Sequence, residues 1–481
     1  MQNNHSGLKA ALMVLMVILI AATGWMIKLS IGLAGSEVPE PPVKQEEPAL
    51  QEPVTVQTEA PTETTAPQPE HVVSTATIGA MGDLLMHKPI FDDHEKYNAA
   101  VQQPDGSYDF SMVFQYIAEP ISRLDYAAAN LETTLVSNDN GYGYNGYPLF
   151  NCPDALVDGV REAGFDLLLT ANNHSYDTGM TGLNRTLEVI RGRGLDTLGT
   201  YLSEDETKWT LQDVNGIRVG MLCYTYATGV AEQGRPSLND NQAIEQPGRC
   251  NYFYTGNLDH FYSEVEGYLD EMEEAGAEAT ILFIHWGNEY QLTENQIQNQ
   301  MAQRLCDLGV DVIIGGHPHV VQPVELLTST QDPDHKTVCL YSMGNAVSAQ
   351  RRHKMNLKTG HTEDGVIFQV TFSKYSDGTV ILETADAIPT WVNDQYQILS
   401  TGVLHTPEPE EPDPTQPTES TETNPTESTA PAQPVPDETT RNQLAASYER
   451  TMGIVGDGLA AVQAYLQSNT AQVEAELGVR N

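Results

Sequence analysis

An α/β fold is expected for the central part of this chain, on three observations. Apolar, β-rich runs alternate with amphipathic helical patterns, the signature of layered strands and helices. The last apolar runs follow one another without helices between them, which predicts a second, mixed sheet. Two Pro/Thr/Glu-rich stretches flank the patterned region, so the folded body is expected at 72–400.

The first element in chain order is apolar. Leu8 to Ala34 has no charge between Ala10 and Ile27, and about 20 such residues span a bilayer as a helix. Lys9 precedes it and Glu37, Glu40, Glu46 and Glu47 follow, with Lys28 and Lys44 softening the asymmetry. The positive-inside rule then predicts a single-pass anchor at 1–35, a cytoplasmic N-terminus and an extracytoplasmic body. The alternative is secretion after signal cleavage near Gly32-Leu33-Ala34. Residues 36–71 and 401–440 are too poor in apolar side chains to offset their ordering entropy, and are expected to be disordered spacers.

Strands are expected at Thr77–Met81, Tyr126–Leu131, Phe165–Ala171, Arg218–Tyr224, Thr280–His285 and Val310–Ile314. Helices are expected at Ser111–Arg123, Pro153–Ala163, Thr181–Arg193, Leu258–Ala275 and Thr293–Leu308. Thr293 heads the last of these with Gln296 three residues on, as in a capping box. The late strands are Val338–Ser342, Val366–Phe372 and Val380–Ala387. Residues 441–481 form a helical C-terminal segment, with a break expected around Gly453, Gly456 and Gly458.

Composition excludes some functions. The net charge is −42, from 24 basic and 66 acidic residues, which is incompatible with a phosphate-binding basic surface, so no nucleic acid partner is expected. Five widely spaced cysteines form no zinc-finger pattern.

The informative polar residues stand at strand ends. Gly82-Asp83 follows the first strand, with His87 behind it, and Asn130 and Glu132 close the second. Asn172-Asn173-His174, and then Asp177, follow the third. His285 and Glu289 follow another strand, and His317-Pro318-His319 the next. In open α/β sheets the functional crevice lies at the carboxyl ends of the strands. Singly, each residue also suits a turn or a hydrogen-bonded structural role. Together they form a mixed carboxylate, amide and imidazole set without thiolates, which suits two divalent cations about 3.5–4 Å apart. Two readings of Glu289 stand side by side, a substrate contact and a loop carboxylate, and Trp286 suits either a cleft wall or the core. The run Arg351-Arg352-His353-Lys354, with Lys358, is the densest basic cluster in an acidic chain. It either attracts an anionic polymer or is a solvated loop.

The strings GDLLMH, NLETTL, ANNHSYDTGMTGL, FIHWGNEY, GGHPHVVQPVE and YSMGN resemble, in order, the motif series of CapA-type capsule-biosynthesis proteins. These belong to the calcineurin-like metallophosphoesterase superfamily and are linked to poly-γ-glutamate capsule. The resemblance covers roughly residues 76–348. It implies a metallophosphoesterase-like αββα sandwich with two mixed sheets and two divalent metal ions (Mn, Fe, Zn or Mg). Asp83 and His319 would hold the first ion, Asn173, His285 and His317 the second, and Glu132 would bridge both. His174 would be the general acid and Asp177 its orienting partner. Beyond the family pattern, Asn130, Glu289, Arg351 and Arg352 are the candidates for substrate contact. The usual Asp-x-His is Asp83-Leu84-Leu85-Met86-His87 here, which displaces His87 by two residues. The implied activity is hydrolysis of a phosphoester or of an anionic surface polymer or its precursor. The alternative is a non-catalytic, metal-binding component working with membrane polyglutamate synthase subunits.

Overall fold

A computed structural model describes residues 70–91, 101–230, 235–239, 242–355, 361–401 and 437–479. The expected anchor, nearly all of both spacers and Lys358 lie outside the described residues. Among the described residues no helix is long and apolar enough to cross a membrane.

Two mixed sheets build the body. The first joins β1 (Val72–Leu84), β2 (Tyr126–Asn130), β3 (Leu167–Leu169) and β4 (Asp196–Leu198) as parallel neighbours. The second sheet is parallel through β6 (Ile217–Tyr226), β11 (Ala279–His285), β12 (Val312–Gly316) and β14 (Lys336–Leu340). Its antiparallel edges are β5 (Thr210–Val214) beside β6 and β13 (Val324–Thr328) beside β14, while the short β10 (Tyr252–Phe253) pairs parallel with β6. A small sheet of β7 (Gly229–Val230), β8 (Pro236–Leu238) and β9 (Gln242–Ala243) stands apart from both. The short β15 (Asn345–Val347) pairs with the end of β1. The first sheet is completed by β16 (Asp364–Tyr375), antiparallel to β1, then β17 (Val380–Val392) and β18 (Ile398–Ser400).

Burial explains the layering. Ile78 and Ala80 of β1 and Phe368 and Val370 of β16 share one buried cluster with Val219, Met221, Ile281, Phe283, Val312 and Ile314 of the second sheet. The sheets therefore face each other. The outer face of the first sheet is covered by α1 (Ala155–Glu162) and α2 (Gly179–Gly192), through Leu156, Val160 and Ile190. The outer face of the second is covered by α3 (Leu258–Glu274) and α4 (Gln296–Asp307), through Phe261, Val265, Met301 and Leu305. The capping box of α4 exists but sits two residues later than expected. Asn295 accepts from the amides of Ile297 and Gln298, and the Gln298 side chain accepts from Asn295 N. The Ser111–Arg123 pattern resolves into two single turns, Ser111–Phe114 and Ala118–Ile121, with Pro120 inside the second.

The C-terminal helix differs most from expectation. α5 (Glu438–Leu477) is one unbroken helix of 40 residues, without a break at Gly453, Gly456 or Gly458. Asp437 caps it by accepting from Thr440 N. Its buried residues Leu444, Ser447, Thr451, Val455, Leu459, Val462 and Leu466 recur at three- and four-residue steps, so they form one stripe. That stripe packs on β17 of the first sheet and β13 of the second. A Cβ at Gly458 would collide with the carbonyl of Val324. The glycine lets helix and strand meet rather than ending the helix.

Candidate metal centre

The parallel strands deliver their ends to one place. β1 runs into Asp83, β2 into Glu132, β3 into Asn173 and His174, β11 ends at His285, and β12 leads into His317 and His319. All of these side chains are at least nine-tenths buried. Ligand-capable atoms of Glu132, His285 and His317 lie within 4.8 Å of one another, and so do those of Asp83, Glu132 and His319. Glu132 is common to both triads.

Local structure sets each member. A Cβ on Gly82 would strike Gly344 O, so only glycine lets β1 close on the 343–345 loop. There Asp83 N donates to Gly344 O at 3.1 Å. His285 and Gly316 are register partners on adjacent strands, which holds the His285 and His317 segments side by side. His317 (φ +96°) and His319 (φ +57°) both lie in the left-handed region. Holding a residue that carries a Cβ in that region costs on the order of 1–3 kcal/mol, and such positions cluster at functional sites.

Inside the cluster His319 Nδ1 is 3.1 Å from Asp83 Oδ2, His285 Nε2 is 2.7 Å from Asn173 Oδ1, and His285 Nε2 is 3.6 Å from Glu132 Oε1. Burial, reinforced by Asp83, pushes the Glu132 carboxyl well above its ordinary range. Burial works the same way on Asp83, but His319, His285 and Asn130 together outweigh it and hold Asp83 low. Burial pushes His285 down to about 3 and His317 well below its usual value. The neutral imidazoles of His285 and His317 are the form a cation needs, and cation binding would displace the proton that burial favours on Glu132.

Two buried atoms test the fit of a metal. Glu132 Oε1 and His317 Nδ1 have no hydrogen-bond partner. Such orphans cost about 1–3 kcal/mol each unless a ligand meets them. Both belong to the triads, so a divalent cation satisfies atoms that the protein itself leaves unmet. Oxygen and nitrogen donors without sulfur suit Mn, Fe, Zn or Mg.

His174 stands beside the triads. Its Nδ1 is 2.7 Å from Asp177 Oδ2, and Asp177 also accepts from Phe150 N at 2.6 Å and from Asn239 Nδ2 at 2.9 Å. The Phe150 ring stands edge-on between His174 and His87, with centroids 4.6 and 5.1 Å away. His87 itself is within 3.1 Å of the Leu85 carbonyl and joins neither triad. Burial pushes it down to about 4.

The residues expected to meet substrate fall in different places. Asn130 is buried, donates to Asp83 Oδ1 at 2.7 Å and accepts from Asn172 Nδ2 at 3.1 Å. It holds Asp83 in place instead of facing solvent. Glu289 is exposed at the rim, close enough to raise Glu132. Arg351 is only 3% exposed; it donates to Val392 O and Asp394 Oδ1 and pairs with Glu363 Oε1 at 3.4 Å. It braces the fold, so among the described residues of the basic run only Arg352, His353 and Lys354 are exposed. Trp286 is core: it is stacked on Tyr341 and donates to the Tyr341 carbonyl.

Sequence reasoning missed Asn239, Tyr226, Tyr290 and Asn345. The Tyr226 ring is 4.7 Å from that of His317 and the Tyr290 ring 6.0 Å from that of His319, which walls the centre with aromatics. Asn345 Nδ2 donates to His319 O at 3.2 Å. YSMGN contains Asn345, so a signal existed there. None existed for Asn239, which reaches Asp177 from 62 residues away.

Comparison with known proteins places the chain. Residues 77–350 match the family described as bacterial capsule synthesis protein PGA_cap. The PGA biosynthesis protein CapA of Bacillus subtilis (strain 168) is 30% identical over 278 residues, covering 56% of this chain and 62% of that protein. The capsule biosynthesis protein CapA of Bacillus anthracis is 26% identical over 328 residues, covering 67% and 69% respectively. The chain thus spans less than two thirds of the length of the Bacillus subtilis relative. The family match covers more than half of the chain, so this protein belongs to the bacterial capsule synthesis protein family, within the metallophosphoesterase-like superfamily.

Proposed function

We propose that this chain is a metal-dependent hydrolase of capsule biosynthesis, acting on a phosphoester or on an anionic surface polymer such as poly-γ-glutamate or its precursor. One observation carries the reading: two buried ligand triads share Glu132, and a His174–Asp177 pair stands beside them. Bound divalent cations would activate water and stabilise developing negative charge. Asp83 and His319 would hold one cation, Asn173, His285 and His317 the other, with Glu132 shared between them. Asp177 accepts from Nδ1 of His174, so Nε2 is the atom left to pass a proton to a departing oxygen. Phe150 covers the His174 ring and keeps bulk water from it. Asn130 fixes Asp83.

The same reading assigns 1–35 to a membrane anchor and 36–71 and 401–440 to spacers that carry the body at 72–400 outside the cytoplasm, with 441–481 as the terminal helical segment. The test is metal content of the full chain, followed by a panel of phosphodiesters and γ-glutamyl polymers with added Mn²⁺. Turnover is expected, and His174→Ala should lower it by roughly 100-fold or more with bound metal unchanged. Full cation occupancy without turnover on either class would favour the non-catalytic alternative, a metal-stabilised partner of membrane polyglutamate synthase components.

A further inference from the structure

A chain of hydrogen bonds with a fixed direction runs outward from the backbone of His319. It starts at carbonyls, which only accept. Asn345 Nδ2 stands 3.2 Å from His319 O and 3.0 Å from Thr362 O, so the Asn345 amide faces them with its nitrogen. The same nitrogen is 3.0 Å from Gln350 Oε1. Gln350 therefore turns its Nε2 the other way, where it donates to the Tyr290 hydroxyl at 3.1 Å. Asn345 and Gln350 are 1% and 8% exposed, so bulk water hardly competes for these bonds. The Gln350 backbone is fixed as well: its amide donates to Ser348 Oγ at 2.9 Å and its carbonyl accepts from Thr362 Oγ1 at 2.5 Å.

The chain ends on a phenol set against the candidate metal centre. Tyr290 is half-buried, and its ring is 6.0 Å from that of His319. Its backbone lies in the left-handed region at φ +64°, a conformation a tyrosine keeps only where its surroundings hold it. Its amide donates at 2.8 Å to the carbonyl of Pro318, the residue between His317 and His319. The ring is thus tied to the histidine loop on one side and to Gln350 on the other.

A hydroxyl donates one proton and accepts on its lone pairs. Gln350 fills an accepting position, so the Tyr290 proton points elsewhere. Burial first, and then the neighbouring Glu289 carboxylate, raise the phenol above its ordinary range, so it keeps that proton. Glu289 is its acceptor at rest. That carboxylate is exposed at the rim, and a solvated partner is readily exchanged.

We propose that Tyr290 contacts the substrate, its phenol donating a hydrogen bond to an anionic oxygen held at the centre, in place of Glu289. The inference rests on the hydrolytic reading and deepens it: a donor already aimed at that oxygen stabilises charge as it develops there.

Calorimetric titration of the Mn²⁺-loaded full chain tests it, with inorganic phosphate as one probe and γ-glutamylglutamate as the other. At least one is expected to bind, and the one that does tells whether the oxygen is phosphoryl or carboxylate. Tyr290→Phe should weaken that probe about tenfold or more, as for a lost hydrogen bond to a charged group, with Mn²⁺ affinity unchanged. Gln350→Leu should weaken it about threefold, and not at all in a chain that already carries Tyr290→Phe, because Gln350 acts through the phenol. Failure of both probes to bind, equal binding by Tyr290→Phe, or an undiminished Gln350→Leu effect in the double variant overturns the proposal. In turnover, Tyr290→Phe should lower kcat about tenfold or more. Probe binding that depends on Tyr290, without turnover of any substrate, keeps Tyr290 as the donor and removes the hydrolytic reading.

Discussion

The two halves of the candidate metal centre are held by different kinds of structure. His285 and His317 sit at the ends of adjacent parallel strands, and Asn173 meets His285 directly. A ladder of backbone hydrogen bonds fixes that half. Asp83 and His319, 236 residues apart, are held from behind by the 343–345 loop, through Gly344 O and Asn345 Nδ2. Asn345 Nδ2 also donates to Thr362 O. Two residues on, Asp364 accepts from Arg450 at 2.6 and 2.7 Å and from Ser447 at 2.6 Å, both on α5. One half of the centre therefore leans on the second sheet, and the other, with Asp83 in β1 of the first sheet, leans also on a relay that ends in the C-terminal helix.

The contrast can be broken at the shared residue. Glu132→Gln should remove both cations, weakening each by roughly 100-fold or more; metal analysis after dialysis reads the outcome. One cation retained at full affinity would mean that the halves do not meet at Glu132. Arg450→Met sharpens the contrast further. It leaves Asp364 buried without its cation, which costs about 3–5 kcal/mol in chemical denaturation. It should also weaken one cation about tenfold and spare the other in calorimetric titration. Leu466→Ala, at the far end of the same stripe, loosens the helix by about 2–5 kcal/mol and should leave both affinities alone. If the two variants act alike on metal, the relay carries nothing specific.

Arg351→Ala should cost about 2–3 kcal/mol of stability, because it strips charged partners from Val392 O and Glu363 beside that relay. The salt dependence of polymer binding should not change. His87→Ala is expected to be mildest, about 1 kcal/mol from its contact with Phe150, with the number of bound cations unchanged. A lost cation there would restore His87 as a ligand.

Much of this was legible because periodicity and punctuation act locally. Strands of the parallel cores were visible as apolar runs, and their polar ends converge because parallel strands share a direction. Long-range packing was not legible. Gly458 reads as a helix breaker until the carbonyl of Val324 is seen against it. Arg351 reads as surface charge until Glu363 and Val392 surround it. Asn239 carries no local sign at all, since its meaning depends on Asp177 across the fold. The capping box slipped from Thr293 to Asn295 because both are good caps and only the packing of Gln298 against Gln322 decides between them.

The stripe on α5 has a consequence for how the chain is made. β13 and β17 leave the ribosome well before Leu444 to Leu466 exist. During that interval an apolar strip along the edges of both sheets has no cover, a state prone to sticking. Synthesis that stalls or is cut before Glu438 would release a body with its strands formed and that strip wet. Such a fragment should self-associate in light scattering, and a synthetic peptide of residues 437–479 should return it to a monomer.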